Sequence, residues 1–318
     1  MPLKKVSARI NTLGPILIVL AATLWAVDGV IRRSLFHLPP ATIVFYEHLI
    51  GSLLMLPWVV PVLRKEKLTS RVLLIASLVA LMGGLLGTVF ITTALIKVNF
   101  IDFSVVFLLQ KLQPLFAIIS AYVLLGEDIT RRYLKWAGLA LISAYFLTFP
   151  QGVNLATGAG TVEAALYAVG AAVAWGFSTT LSKMLLNHVS DQGGTILRFY
   201  LAAFFSFIAV HTLGVQDSLL TVGTTELSRF LYIAIFTGVT AMWLYYKGLK
   251  NTQAKISTIL ELAFPLIAVM IDALFYETVL QPIQYLAGLG LMFAIYQVGQ
   301  LQRNLHKQPK MQRAQPIS

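Results

Sequence analysis

Five side chains interrupt the apolar runs of this sequence with groups that lipid cannot solvate: Asp28, Glu47, Gln110, Lys111 and Glu261. An ionisable group at bilayer depth must face protein or water, and such groups mark ion paths, proton relays and polar ligand sites. His48, Gln113, Lys183, Arg198 and Asp272 share the setting, with capping, snorkelling or packing as their alternative roles. Two kinds of chemistry are open to Asp28, Glu47 and Lys111. They form a buried ion pair, or the carboxylates carry a coupled proton while Lys111 sheds its charge. At a rise of about 1.5 Å per residue, Lys111 lies roughly 15 Å below the outer surface, and Asp28 and Glu47 about 6 Å higher. The helical lean of side chains toward their own N-termini brings Lys111 and Asp28 toward each other.

Metal chemistry and most catalysis are excluded by what these residues lack. The chain has no cysteine, and its five histidines, at 37, 48, 188, 211 and 306, form no HxxxH-type pair, so neither a metal site nor a cofactor is expected. No HExxH, GxSxG or Walker A pattern occurs. An aspartyl pair from Asp28 and Asp272 lacks a Gly-Asp signature, which disfavours an intramembrane enzyme. A scaffold without transport activity would not need charges at the midplane.

The elements that position these groups follow from composition. With 58% hydrophobic and 12% charged residues, the chain stands well below the roughly 25% charged fraction of soluble domains. Runs of about 20 apolar residues fall near 14–36, 42–63, 72–96, 101–125, 133–150, 162–187, 194–214, 227–246, 256–275 and 281–301, which gives an all-α membrane protein of ten transmembrane helices. Residues 1–13 read as a cytoplasmic N-terminus, 151–161 as an external linker and 302–318 as a cytoplasmic polar tail. The net charge of +11 needs no nucleic acid partner. Placing both termini in the cytoplasm puts Lys4, Lys5, Arg9, Arg64, Lys65, Lys67, Arg71, Arg131, Arg132, Lys135, Lys247, Lys250, Lys255 and the basic tail inside, leaving Arg32, Arg33, Lys97 and Arg229 outside. The expected location is a plasma membrane, the inner membrane of a bacterium.

The chain repeats itself. AATLWAVDGVIRRSL (21–35) aligns with AAVAWGFSTTLSKML (171–185) at an offset of 150, pairing Trp25 with Trp175 and Asp28 with Ser178. Glu47-His48 stands opposite Arg198-Phe199. LLQKLQPLFAIISAYVLLGE (108–127) returns as ILELAFPLIAVMIDALFYE (259–277), so Gln110 corresponds to Glu261, Pro114 to Pro265 and Glu127 to Glu277. Five spans per copy, 14–150 and 162–301, is an odd number, so the second copy enters the membrane inverted. Such repeats hold their site near the midplane at the repeat interface. Pro114 and Pro265 each remove a helix hydrogen bond and are candidate hinges. The Gly83 to Gly87 run offers a small-residue face for close helix approach. Trp243, Tyr245 and Tyr246 make the eighth span richer in rings than the third.

The two five-span units, the xxPLxA…GE pattern of their fourth spans and the tryptophan of their first spans resemble the drug/metabolite transporter superfamily, specifically its EamA branch. The resemblance implies a secondary transporter in which spans 1–4 and 6–9 surround a central site and spans 5 and 10 pack at the edge. The residues singled out above for substrate binding or coupling are Trp25, Asp28, Glu47, Gln110, Lys111, Tyr246 and Glu261, with Pro114 and Pro265 as hinges and a proton as the candidate coupled ion. Mixed charge and aromatic walls suit export or exchange of a small organic metabolite such as an amino acid; a nucleotide sugar or a drug-like amphiphile is the alternative. In a chain free of native cysteine, Thr157→Cys is expected to react with an impermeant thiol reagent from outside the cell and Ser70→Cys to stay unlabelled. The reverse pattern would overturn the orientation.

Overall fold

The computed structural model describes residues 2–97, 106, 109–152, 161–275 and 279–307, and every regular element among them is helical. In chain order these are α1 (Pro2–Arg32), α2 (Pro40–Leu63), α3 (Ser70–Lys97), α4 (Gln113–Leu125), α5 (Arg131–Thr148) and α6 (Thr161–Leu186). They continue with α7 (Asp191–Thr212), α8 (Thr224–Lys250), α9 (Ala254–Leu260), α10 (Ala263–Phe275) and α11 (Pro282–Lys307). Among the described residues, six stretches are long and apolar enough to cross a membrane: α2, α3, Val162–Leu186, α7, α8 and Ala254–Ile271. Leu13–Asp28 and α4 are shorter apolar helices. Tyr276 and Glu277, the second copy's counterparts of Gly126 and Glu127, lie outside the described residues, as does most of the 151–161 linker.

The observed ends differ from the hydropathy runs where local chemistry intervenes. α1 starts at Pro2, ahead of the expected 14, and stops at Arg32, because Arg33–Leu35 tightens into a 3-10 turn before Pro39 and Pro40 restart the chain. Proline at the first turn of α2 loses no intrahelical bond. α3, α5 and α7 start where Thr69, Thr130 and Ser190 accept the amides of Val72, Tyr133 and Gly193 at 3.3, 3.2 and 2.9 Å, each satisfying an otherwise orphaned donor. α11 continues to Lys307, into the segment expected as a polar tail.

The third and eighth spans each contain a π-helical segment, Ala80–Leu86 in α3 and Ile233–Thr240 in α8. Neither is visible in hydropathy. Their placement at matching points of the two copies marks them as built features, and such bulges concentrate at functional sites.

Packing pairs the copies across their interface. α1 lies on α8, α2 on α7, α3 and α4 on α6, while α5 packs against α11. The Gly83 to Gly87 face behaves as its composition implies: a methyl added at Gly84 would stand 2.6 Å from Ala202 Cβ, and one at Gly87 2.4 Å from Trp175 Nε1. The closest backbone approach joins α1 to α8, where a methyl at Gly248 would lie 2.7 Å from the Gly14 carbonyl oxygen and 2.8 Å from Ile18.

Overpacking of this kind costs about 1–3 kcal/mol. Gly248→Ala is therefore expected to lower the unfolding temperature in detergent. Gly138→Ala, whose added methyl meets nothing within 4 Å, should leave it unchanged or slightly higher. Equal behaviour of the two variants would contradict the packing described.

Candidate functional site

Both proline-bearing spans are interrupted helices. Lys111 and Leu112 form a turn before α4, and Glu261 and Leu262 form one between α9 and α10. Pro114 and Pro265 lack an amide hydrogen, so the carbonyls of Gln110 and Glu261, four residues earlier, lose their usual donor. The Glu261 carbonyl recovers one from the Phe264 amide at 2.9 Å. The expected kinks thus appear as breaks at matching positions, each exposing backbone and side-chain polar groups inside an apolar segment.

The two breaks meet through their side chains. Gln113 Nε2 donates to Glu261 Oε2 at 3.2 Å, and Gln110 Nε2 donates to Gln113 Oε1 at 3.4 Å. Tyr245 Oη donates to Glu261 Oε1 at 2.7 Å, joined by Ser257 Oγ at 3.2 Å. The Trp25 ring stands 5.1 Å from the Tyr245 ring at 56°. Trp25, Gln110, Gln113 and Glu261 are all half-buried. The structure therefore unites three expected residues, Trp25, Gln110 and Glu261. It adds Gln113, Tyr245 and Ser257, of which Ser257 was the least legible because nothing but its i−4 spacing to Glu261 points to it.

Tyr246 belongs elsewhere. One residue further along α8 it points about 100° away, fully buried, with its hydroxyl 3.0 Å from Ser182 Oγ and 3.5 Å from Arg198 Nη1. Trp243 Nε1 donates to Asp191 Oδ2 at 3.0 Å and so ties α8 to the start of α7.

Asp28 and Glu47 do come together, but around Arg32 and not Lys111. Arg32 Nε donates to Asp28 Oδ2 at 2.5 Å and Nη2 to Glu47 Oε2 at 3.0 Å, while Thr237 Oγ1, from the π segment of α8, donates to Asp28 Oδ1 at 2.6 Å. The sequence signal was the i,i+4 spacing of Asp28 and Arg32, overlooked because Arg32 counts as a loop charge by position. Lys111 turns the other way. Its Nζ stands 5.2 Å from the centre of the Phe264 ring, beside a cavity of about 170 Å³ lined by Leu141, Tyr145, Phe149 and Leu262. The physical reason is reach: Arg32 sits one turn from Asp28 on the same helix, whereas the turn at Lys111–Leu112 points Lys111 toward α5. His48 packs on Phe199 with ring centres 5.1 Å apart, its Nδ1 at 2.8 Å from the Val44 carbonyl.

At the end of the bundle that carries the basic loops, the Gly-Glu pair closing α4 acquires a role. Gly126 caps the helix at φ 63°, a left-handed conformation that favours glycine. Glu127 then accepts the amides of Ala254 and Lys255 at 2.7 and 3.0 Å, capping α9. Burial raises the Glu127 carboxyl above its ordinary range despite these two donors. Lys183 Nζ donates to the carbonyls of Leu249 and Lys250, both at 2.8 Å, and closes α8. Its capping role is the one expected. The side chain of Asp272 lies outside the described residues.

The sequence model of the EamA-like transporter family matches residues 12–149 and again 162–299. The chain belongs to the EamA-like transporter family. It is a transporter and not an enzyme. A riboflavin transporter, ImpX of Fusobacterium nucleatum subsp. nucleatum, is 38% identical over 294 residues, spanning 91% of this chain and 98% of that protein. A solved crystal structure that is 16% identical superposes with a TM-score of 0.71 over 94% of this chain and 99% of its own, which supports the fold.

Removing one member of a buried ion cluster leaves uncompensated charge, at a cost of about 3–5 kcal/mol. Arg32→Gln is expected to lower thermal stability markedly, and adding Asp28→Asn to recover part of the loss, because Glu47 alone then remains to be satisfied. Full stability of Arg32→Gln would contradict the pairing.

Proposed function

We propose that this protein moves riboflavin, or a molecule of the same chemical class, across the inner membrane of a bacterium by alternating access. In this reading ten spans form two inverted five-helix repeats with both termini in the cytoplasm. The arrangement is supported by the doubled family match, the distribution of basic loops and the matched helix breaks.

The observation that carries the substrate reading is the Gln113–Glu261 bridge beside Trp25 and Tyr245, taken with the name of the 38%-identical relative. A flavin presents a planar apolar ring system, an imide edge with one N–H between two carbonyls, and a polyhydroxyl tail. A carboxylate accepts from the imide N–H, glutamine amides donate to the flanking carbonyls, and Trp25 offers a stacking face. The amino-acid substrate suggested by mixed charges is less well served. Asp28 and Glu47 are both engaged by Arg32, which leaves the aromatic and amide groups as those open to a ligand.

Two further roles follow. Pro114 and Pro265 act as hinges, because each break lets the halves of its span tilt independently. Proton coupling falls to Glu261, whose partners are the neutral groups of Tyr245, Ser257 and Gln113, whereas Asp28 and Glu47 are held against a guanidinium.

Reconstituted in liposomes, the wild-type protein is expected to give saturable riboflavin flux. Trp25→Leu and Gln113→Leu should each lower flux at subsaturating substrate by about tenfold, equivalent to ~1.4 kcal/mol. Glu261→Gln should abolish accumulation driven by a pH gradient while sparing riboflavin exchange at saturating substrate. Flux of an amino acid but not of riboflavin would return the site to the zwitterion reading.

A further inference from the structure

Arg198 is nine-tenths buried, with 8% of its surface exposed, and it is poorly matched. Its Nε is buried without a hydrogen-bond partner, and Nη1 reaches only Ser178 Oγ at 3.4 Å and Tyr246 Oη at 3.5 Å. Among the described residues no carboxylate lies within 4.0 Å of it. A guanidinium withdrawn from water in this way costs several kcal/mol unless a counter-charge is supplied.

The repeat shows where that counter-charge is. Asp28, Arg32 and Glu47 of the first copy correspond to Ser178, Ser182 and Arg198 of the second. The surroundings correspond as well. Thr237, in the π segment of α8, touches Asp28, and Gly83, in the π segment of α3, stands against Ser178 and Arg198. One copy thus gathers two carboxylates on one guanidinium, and the other holds a guanidinium with hydroxyls alone. Charge balances only when both clusters are counted together: Asp28 and Glu47 against Arg32 and Arg198. The clusters are joined along the α2–α7 contact, where His48, next to Glu47, packs on Phe199, next to Arg198.

We propose that Arg198 is the alternate partner of Glu47, which pairs with Arg32 in the conformation described and passes to Arg198 when the protein opens its site to the opposite face. The proposal rests on the alternating-access reading above. Asp28 stays with Arg32 through its 2.5 Å bond, so neither guanidinium is stranded after the exchange. The Arg32–Glu47 bond ties α1 to α2, and its release removes one of the ties on the outer end of α2, leaving those of Thr42 and Tyr46 to the Gln216–Leu220 turn. Two discrete arrangements of one carboxylate form a bistable element of the kind that population shifts act on.

The test uses the full chain in detergent, with Thr42→Cys as the reporter. Thr42 is fully buried, its Oγ1 2.6 Å from Ser218 Oγ, so the introduced thiol reacts only when α2 parts from the Gln216–Leu220 turn. Asp28→Asn with Arg32→Gln releases Glu47 and is expected to speed labelling by an impermeant maleimide about tenfold. Adding Arg198→Gln should return the rate at least halfway, on a logarithmic scale, to that of the reporter alone. Adding Arg198→Lys, which keeps the charge, should preserve the faster rate. Misfolding would raise labelling in the Arg198→Gln protein, opposite to the expected change. Labelling that ignores both Arg198 substitutions, or falls equally in both, overturns the proposal. The readout needs no substrate. Absence of riboflavin flux alongside Arg198-dependent labelling would therefore sink the substrate reading and leave the exchange standing.

Discussion

Two prolines that cannot donate a hydrogen bond set the terms for the rest of this structure. In water a broken helix is repaired by solvent, but within a bilayer every freed polar group must find a partner in protein or in a wet site. Pro114 and Pro265 break their helices at matching places of the two copies, so polar groups of both copies need partners. The Phe264 amide takes the Glu261 carbonyl, and the Gln110–Gln113–Glu261 chain of side chains joins the two breaks across the repeat interface. Tyr245, Ser257 and Trp25 then follow from the helices packed against those breaks.

The ionisable groups obey a second constraint, that charge at depth needs a partner: Asp28, Glu47 and Arg32 find theirs locally, whereas Arg198 meets hydroxyls alone. Arg32 serves two carboxylates from one turn away and from the neighbouring helix, which fixes the ends of α1 and α2 relative to each other. Glu127 and Lys183 meet the same demand at the basic end by capping α9 and α8. What remains beside the helix breaks is a half-buried set of amide, carboxylate and indole groups backed by the buried hydroxyls of Tyr245 and Ser257.

Much of the fold was legible because lipid imposes strong rules on sequence. Apolar run length located most of the helices, and the return of the proline segment exposed the repeat. Trp25, Gln110 and Glu261 were found because polar or bulky residues at matched positions are visible in one dimension. Tyr245 and Tyr246 could not be told apart in the same way, since adjacent residues differ only in which face of α8 they occupy. Depth and side-chain lean together pointed Lys111 at Asp28, and the turn that redirects it depends on how the broken halves pack. The π segments leave no mark on hydropathy, yet one of them delivers Thr237 to Asp28.

The central claim is that the bridged helix breaks and the Trp25 face hold a flavin. It is tested most directly by titrating purified protein into riboflavin and following the fluorescence of the flavin, which a stacked indole quenches. The expected result is saturable quenching by the wild type, little quenching at saturation by Trp25→Leu, and affinity weakened about tenfold or more in Glu261→Gln, on the order of one hydrogen bond to a charged group. Quenching of equal depth and affinity in all three proteins would place the flavin elsewhere and contradict the site.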